Sequence, residues 1–211
     1  LQNNTTASNN TALGKDALAA NTTGTLNSAV GALALDANTT GTENAAVGAN
    51  SLSGNTTGAG NTAVGQDTLN ANTTANENTA IGFAALQVNT TGASNVAVGS
   101  RALDANTTAG NNTALGYNSL TANSTGSENT CVGRNSGLNM TTGSGNLCLG
   151  NQAGTSSSPS GQITTASNNV CLGDNNISNL FCADTSISSS DSRDKTDVAD
   201  FSIGLKWIEA L

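Results

Sequence analysis

The sequence predicts an all-β fold, a β-solenoid wound from 17-residue coils. A pentapeptide of the form Asn-x-Ala-aliphatic-Gly returns at a fixed interval, the signature of stacked repeats. Only 2% of residues are aromatic and 9% charged, so the interior must be narrow rather than globular. The 24 glycines and the recurring Asn-Thr-Thr triplets are poor helix formers and leave short strands and turns as the usable elements.

The repeat begins at Asn10-Thr11-Ala12-Leu13-Gly14, returns as Asn27-Ser28-Ala29-Val30-Gly31 and Asn44-Ala45-Ala46-Val47-Gly48, and runs without slippage to Asn146-Leu147-Cys148-Leu149-Gly150. A tenth copy, Asn169-Val170-Cys171-Leu172-Gly173, arrives after 23 residues instead of 17, which places a six-residue insertion around Thr155 to Ser160. That insertion is read as an edge loop, with Thr155 to Thr165 the expected lateral contact loop. Leu1 falls inside a repeat, so an upstream portion is expected.

Each coil is expected to hold a first strand, a glycine turn, an Ala-Leu corner and a second strand over Asn-Thr-Thr-Gly. The turn glycine, as at Gly82, should carry a positive φ. Strand alternation puts Thr62 and Val64 on one face and Ala63 on the other. The Val64 position is Val, Leu or Ile in every copy and is read as core. The column from Leu18 to Leu120 is read as a second aliphatic column. Stacking at about 4.8 Å closes the backbone hydrogen bonds, so nine coils give a rod of about 40 Å.

The Ala63 position never exceeds Cys in size, which fits either a tight bend inside the coil or a close interface between identical chains. The interface is the preferred reading. Two further columns, one from Asn10 and one from Asn21, should form amide ladders along the stack. In the Thr pairs that begin at Thr22, only one hydroxyl of each pair can face outward.

The net charge of −8 and the absence of a basic run argue against nucleic acid or anionic lipid as partner. No apolar stretch is long enough to span a membrane and no signal peptide is visible. Cys131, Cys148 and Cys171 share one repeat position and are read as buried packing thiols, with Cys182 apart from them. With no His and no close Cys pair, neither metal nor cofactor is expected. Glu43, Glu77 and Glu128 share an edge position, too far apart along the stack for a glycosidase pair.

Asn-Ser-Ala-Val-Gly and Asn-Thr-Ala-Ile-Gly resemble the head repeats of trimeric autotransporter adhesins over residues 1 to about 175. That resemblance implies a left-handed β-roll in a three-chain bundle. The present coil departs from it by its length and by its added Asn-Thr-Thr-Gly.

After Phe181 the composition changes to a Ser-rich stretch. Ser190-Asp191-Ser192-Arg193-Asp194-Lys195, followed by Gly204-Leu205-Lys206-Trp207-Ile208-Glu209-Ala210-Leu211, resembles the opening of the self-cleaving intramolecular chaperone of phage tail spikes and tail fibres, the endosialidase type. The resemblance implies that Ser190 is the nucleophile, Lys195 its base, and the scissile bond that between Ser189 and Ser190. A desolvated lysine suits that role, because a serine hydroxyl is inert at its free pKa. The alternative is a helix N-cap at Ser190 and Asp191. Residues 190–211 cover only the start of that domain, too little to fold or cleave as it does.

Asn-x-Thr sequons at Asn21, Asn38, Asn55, Asn72, Asn89 and Asn106, with others at Asn4 and Asn139 and a related Asn-x-Ser/Thr site at Asn123, offer a row of possible glycosylation sites.

The reading is therefore a 17-residue-repeat shaft over 1–154, a last coil with insertion and cap over 155–189, and the chaperone start over 190–211. The expected function is the homotrimeric shaft of a viral tail fibre or tail spike, extracellular on the virion, serving attachment to a host cell-surface receptor of glycan type. Enzymatic activity is expected only as self-cleavage at the chaperone junction. A bacterial surface adhesin and an ice-binding Thr-ladder solenoid are the alternatives.

Overall fold

The computed structural model describes residues 1–159 and 161–179. Ser189, Ser190, Lys195, Cys182 and the whole 190–211 segment lie outside the described residues.

Residues 1–177 form one compact unit. It is all-β, a parallel β-solenoid with one three-residue strand per coil and no helix among the described residues. The strands are β1 (Thr11–Leu13), β2 (Ser28–Val30), β3 (Ala45–Val47), β4 (Thr62–Val64), β5 (Thr79–Ile81), β6 (Val96–Val98), β7 (Thr113–Leu115), β8 (Thr130–Val132), β9 (Leu147–Leu149) and β10 (Val170–Leu172). They pair in sequence order as a ten-stranded parallel sheet. The register joins equivalent repeat positions, Ala63 to Ala80 and Val64 to Ile81 among them, and it survives the insertion, where Cys171 pairs with Cys148.

The expected second strand is absent. At Asn-Thr-Thr-Gly the chain bends, and Thr22 and Thr23 both donate their N–H to the Thr39 carbonyl, a convergence that a strand ladder does not allow. The coil-to-coil bonding nonetheless continues around the circumference: Leu18 N–H donates to Ala34 O at 3.0 Å and Gly31 N–H to Leu13 O at 2.8 Å. Coils therefore satisfy one another's backbone outside the strands as well as within them.

The assignment of inner and outer faces is reversed from the sequence reading. Ala29, Ala46, Ala63, Ala80, Ala97 and Ala114 are wholly buried, whereas Val47, Val64 and Ile81 are 42%, 37% and 40% exposed. The small position is small because the sheet faces the centre of its own coil, not a neighbouring chain. There it meets the Leu column from Leu18 to Leu120, every member fully buried. A narrow coil has room for one large aliphatic layer, and the leucines occupy it.

The leucines reach the centre from left-handed backbone, with φ between 50 and 53 from Leu18 through Leu120. That conformation costs a non-glycine residue about 1–2 kcal/mol, and burying the side chain returns about 2–3 kcal/mol. The strand-end glycines carry positive φ as expected, 137 at Gly31 and 128 at Gly82. A Cβ at Gly31 would lie 2.4 Å from the carbonyl oxygen of Gly48, so the close coil spacing forbids any side chain there.

Both asparagine columns form buried ladders. In the first, Asn44 Nδ2 donates to Asn27 Oδ1 at 3.1 Å and Asn44 N–H to the same oxygen at 3.0 Å. In the second, Asn38 Nδ2 donates to Asn21 Oδ1 at 2.8 Å. The ladders share an acceptor, because Asn27 Nδ2 and Asn38 Nδ2 both reach Gly41 O. These amides stitch the bent half of the coil, where no strand exists.

The core changes composition in the last coils. Ala gives way to Cys at Cys131, Cys148 and Cys171, and Leu to Gly at Gly137 and Gly154. A Cβ on Gly137 would sit 2.7 Å from Cys131 Sγ, and one on Gly154 2.9 Å from Cys148 Sγ. The thiol thus takes volume that the leucine holds elsewhere. Met140, fully buried, replaces the next member of the second Asn ladder, and Ile163 follows it. Asn123 Oδ1 is left buried without a hydrogen-bond partner at that junction.

Candidate functional site

The described residues present several extended surfaces. The most extensive is the outer face of the ten-stranded sheet. Its two columns run from Thr11 and Leu13 to Val170 and Leu172, and every position is Val, Leu, Ile, Thr, Ser or Ala. No charged residue lies on it, in a chain of net charge −8. The positions here read as core are its aliphatic column. At roughly 60 Å² of exposed apolar surface per aliphatic residue, the column amounts to roughly 600 Å², at the upper end for the largest apolar patch of an ordinary monomer.

A second surface is the Thr column. Thr22, Thr39, Thr56, Thr73 and Thr90 are half-buried, each Oγ1 donating to the Thr, or equivalent, carbonyl one coil on at about 3 Å. Their neighbours Thr23, Thr40, Thr57, Thr74 and Thr91 are exposed. One hydroxyl of each pair faces outward, as expected, although the segment is a bend and not the strand on which the expectation rested.

The sequon asparagines are not displayed on an edge. Asn21, Asn38, Asn55, Asn72, Asn89 and Asn106 are fully buried. Asn55 Nδ2 spends its two hydrogens on Asn38 Oδ1 and Gly58 O. A sugar on that nitrogen would displace the ladder, so the folded coil has no place for it. Asn4 alone of the sequons named is exposed.

Cys131, Cys148 and Cys171 are buried side chains stacked on successive strands. The neighbouring Cys148 thiol, hydrogen-bonded to it, and its own burial push the Cys131 pKa far up, which keeps it a neutral packing group. No cluster of potential metal ligands occurs among the described residues. Glu43, Glu77 and Glu128 stand at exposed edge positions with φ of 60, 60 and 62. In the insertion, Thr155 and Ser158 turn inward and are buried, with Thr155 Oγ1 donating to Gln152 O at 2.7 Å. Only part of that loop is therefore available for lateral contact.

Sequence reasoning passed over one surface group. Phe83, Arg101, Tyr117 and Arg134 are exposed on four successive coils, Phe83, Tyr117 and Arg134 one residue and Arg101 two residues beyond the glycine that follows the strand. Their side-chain types are scarce in this chain, and that scarcity was the available signal.

No family model matches this chain, and no curated protein or solved structure matches it. No helix among the described residues is long and apolar enough to cross a membrane.

Proposed function

We propose that this chain is the shaft of a homotrimeric attachment fibre, of the viral tail-fibre or tail-spike kind, displayed on the virion and directed at a host-surface glycan. The observation that carries the reading is the uncharged aliphatic sheet face running through all ten coils. At about 25 cal/mol per Å², roughly 600 Å² of it per chain is worth on the order of 15 kcal/mol, comparable with the larger estimates of association cost. Its absence of charge lets like chains approach despite their shared negative sign. The repeat makes the face self-matching along its length, which favours identical partners.

The Ser190 to Lys195 motif supports the second half of the reading, a C-terminal chaperone that completes assembly and cuts itself off between Ser189 and Ser190. The test is the mass in solution, by light scattering, of a chain extended through the full C-terminal domain. Three copies are expected, with the domain released; Ser190→Ala should leave it attached. V64D/I81D should yield monomers of unchanged circular dichroism. A wild-type monomer would overturn the shaft, and an uncleaved wild type would overturn the role of Ser190.

A second reading rests on the exposed Thr column from Thr23 onward, a regular hydroxyl array of the kind that suits an ice surface. An ice-recrystallisation assay separates the two, since a shaft has no effect on crystal growth.

A further inference from the structure

The rod is acidic, yet Arg101 and Arg134 are exposed, and among the described residues neither guanidinium has an ion-pair or hydrogen-bond partner. Apart from Lys15, which lies 3.9 Å from Asp16, they are the basic residues of the described segment. The chain holds one Tyr and three Phe. The Tyr and one Phe stand in the same repeat column, Tyr117 48% and Phe83 45% exposed. The order along successive coils is Phe83, Arg101, Tyr117, Arg134: ring, cation, ring, cation.

The backbone fixes that order. Arg101 N–H donates to Phe83 O at 2.9 Å, and Asn135 N–H, next to Arg134, donates to Tyr117 O at 2.9 Å. Successive coils are about 4.8 Å apart, so Tyr117 follows Phe83 in one column at about 10 Å, and Arg134 of that column lies two coils on from Arg101, which stands one residue to the side at the position of Asn135. These side chains stand beyond the corner glycines and so leave the aliphatic sheet face free.

We propose that this four-coil strip binds an extended, carboxylate-bearing polysaccharide. An aromatic ring takes the apolar face of a sugar ring, and an arginine takes a carboxylate bidentately. An extended glycan turns alternate sugars to opposite sides, so like groups recur on one side at every second unit, the alternation this strip presents. Neutral glycan would leave both guanidinia unused. Single-stranded nucleic acid could also stack on the rings, but it carries a phosphate at every nucleotide, whereas the two guanidinia recur only at every second coil. The proposal supplies the receptor chemistry for the attachment reading and rests on that reading only for its biological setting.

The test uses the full chain, with polygalacturonate, neutral dextran and oligo-dT as probes, binding followed by calorimetry and chain association by light scattering on the same samples. Polygalacturonate should bind, weaken with added salt, and exceed dextran and oligo-dT by at least tenfold. F83A/Y117A should lose at least tenfold in affinity, and R101Q/R134Q should lose both affinity and salt dependence, with circular dichroism unchanged. Equal binding of dextran or oligo-dT, or variants that bind as wild type, would overturn the strip. If binding fails while the chains still associate, the strip fails and the shaft stands; monomers that bind polygalacturonate reverse that outcome.

Discussion

The change of core between the seventh and eighth coils provides a quantitative test of how these coils are packed. Ala114, Leu120 and Asn123 occupy the positions held one coil later by Cys131, Gly137 and Met140. Converting the later set to the earlier one requires C131A, G137L and M140N. Taken singly, each should destabilise. C131A removes one buried sulfur, about 1 kcal/mol. G137L places a Cβ 2.7 Å from Cys131 Sγ and 3.0 Å from Leu120 Cδ2, an overpacking of about 2 kcal/mol. Its backbone is no obstacle, since Gly137 at φ 64 lies close to the 52 that Leu120 already adopts. M140N loses about 3 kcal/mol of apolar packing and regains about 1 kcal/mol by donating to the orphaned Asn123 Oδ1. The single changes therefore sum to about 5 kcal/mol. The triple variant reproduces an arrangement the chain already uses and moves the orphaned oxygen one coil along, so its stability should lie within about 1 kcal/mol of wild type. The coupling among the three sites is then about 5 kcal/mol. Urea unfolding followed by circular dichroism measures it. A triple variant destabilised by the sum of its parts would refute the volume exchange between Cys131 and Gly137.

Gly82→Val should cost about 3 kcal/mol or more, because its Cβ would meet the Gly99 backbone at 2.7 Å from a φ of 128; Gly60→Asn, at φ 67 with nothing nearer than 3.9 Å, should be nearly neutral in the same melt. Asp36, raised in pKa by burial and with its Oδ1 lacking a partner, binds its proton more tightly folded than unfolded. Its penalty is absent below the unfolded pKa, grows as pH rises towards the folded pKa, and is complete above it; Asp36→Asn should raise the melting temperature at pH 7 and flatten its decline from acid pH. Cys131, Cys148 and Cys171 should resist iodoacetamide at pH 8 in the native protein and react in denaturant, as peptide mass spectrometry reads directly; native labelling of any of the three would contradict their burial.

Much of the fold was legible because it is periodic. The 17-residue interval gave the coil and the edge insertion and fixes the parallel register, since a stack of equivalent coils can bond only equivalent positions, but of the two strands expected in each coil only the first forms. The turn glycines and the two Asn columns were legible for the same reason: each is required once per coil. The left-handed positions were not. Leu18, Leu35, Glu43 and Arg101 have φ of 51, 52, 60 and 58, and none of these residue types signals that conformation. Nor was it visible that Asn-Thr-Thr-Gly bends instead of pairing, because its Thr residues favour strands and only the buried amide contacts hold the bend.

By itself the sequence determined the repeat, the all-β class and the stacking direction. Which face of the strand points inward was decided only by the tertiary structure. Alternation separates Ala63 from Val64 without saying which is inside, and hydrophobicity favours the wrong one. The inner side belongs to Ala63 because the left-handed corner drives Leu69 into the centre and leaves space there for a methyl group alone. The aliphatic column is thereby turned outward, and the surface that the proposed fibre needs is a consequence of a core too narrow to hold it.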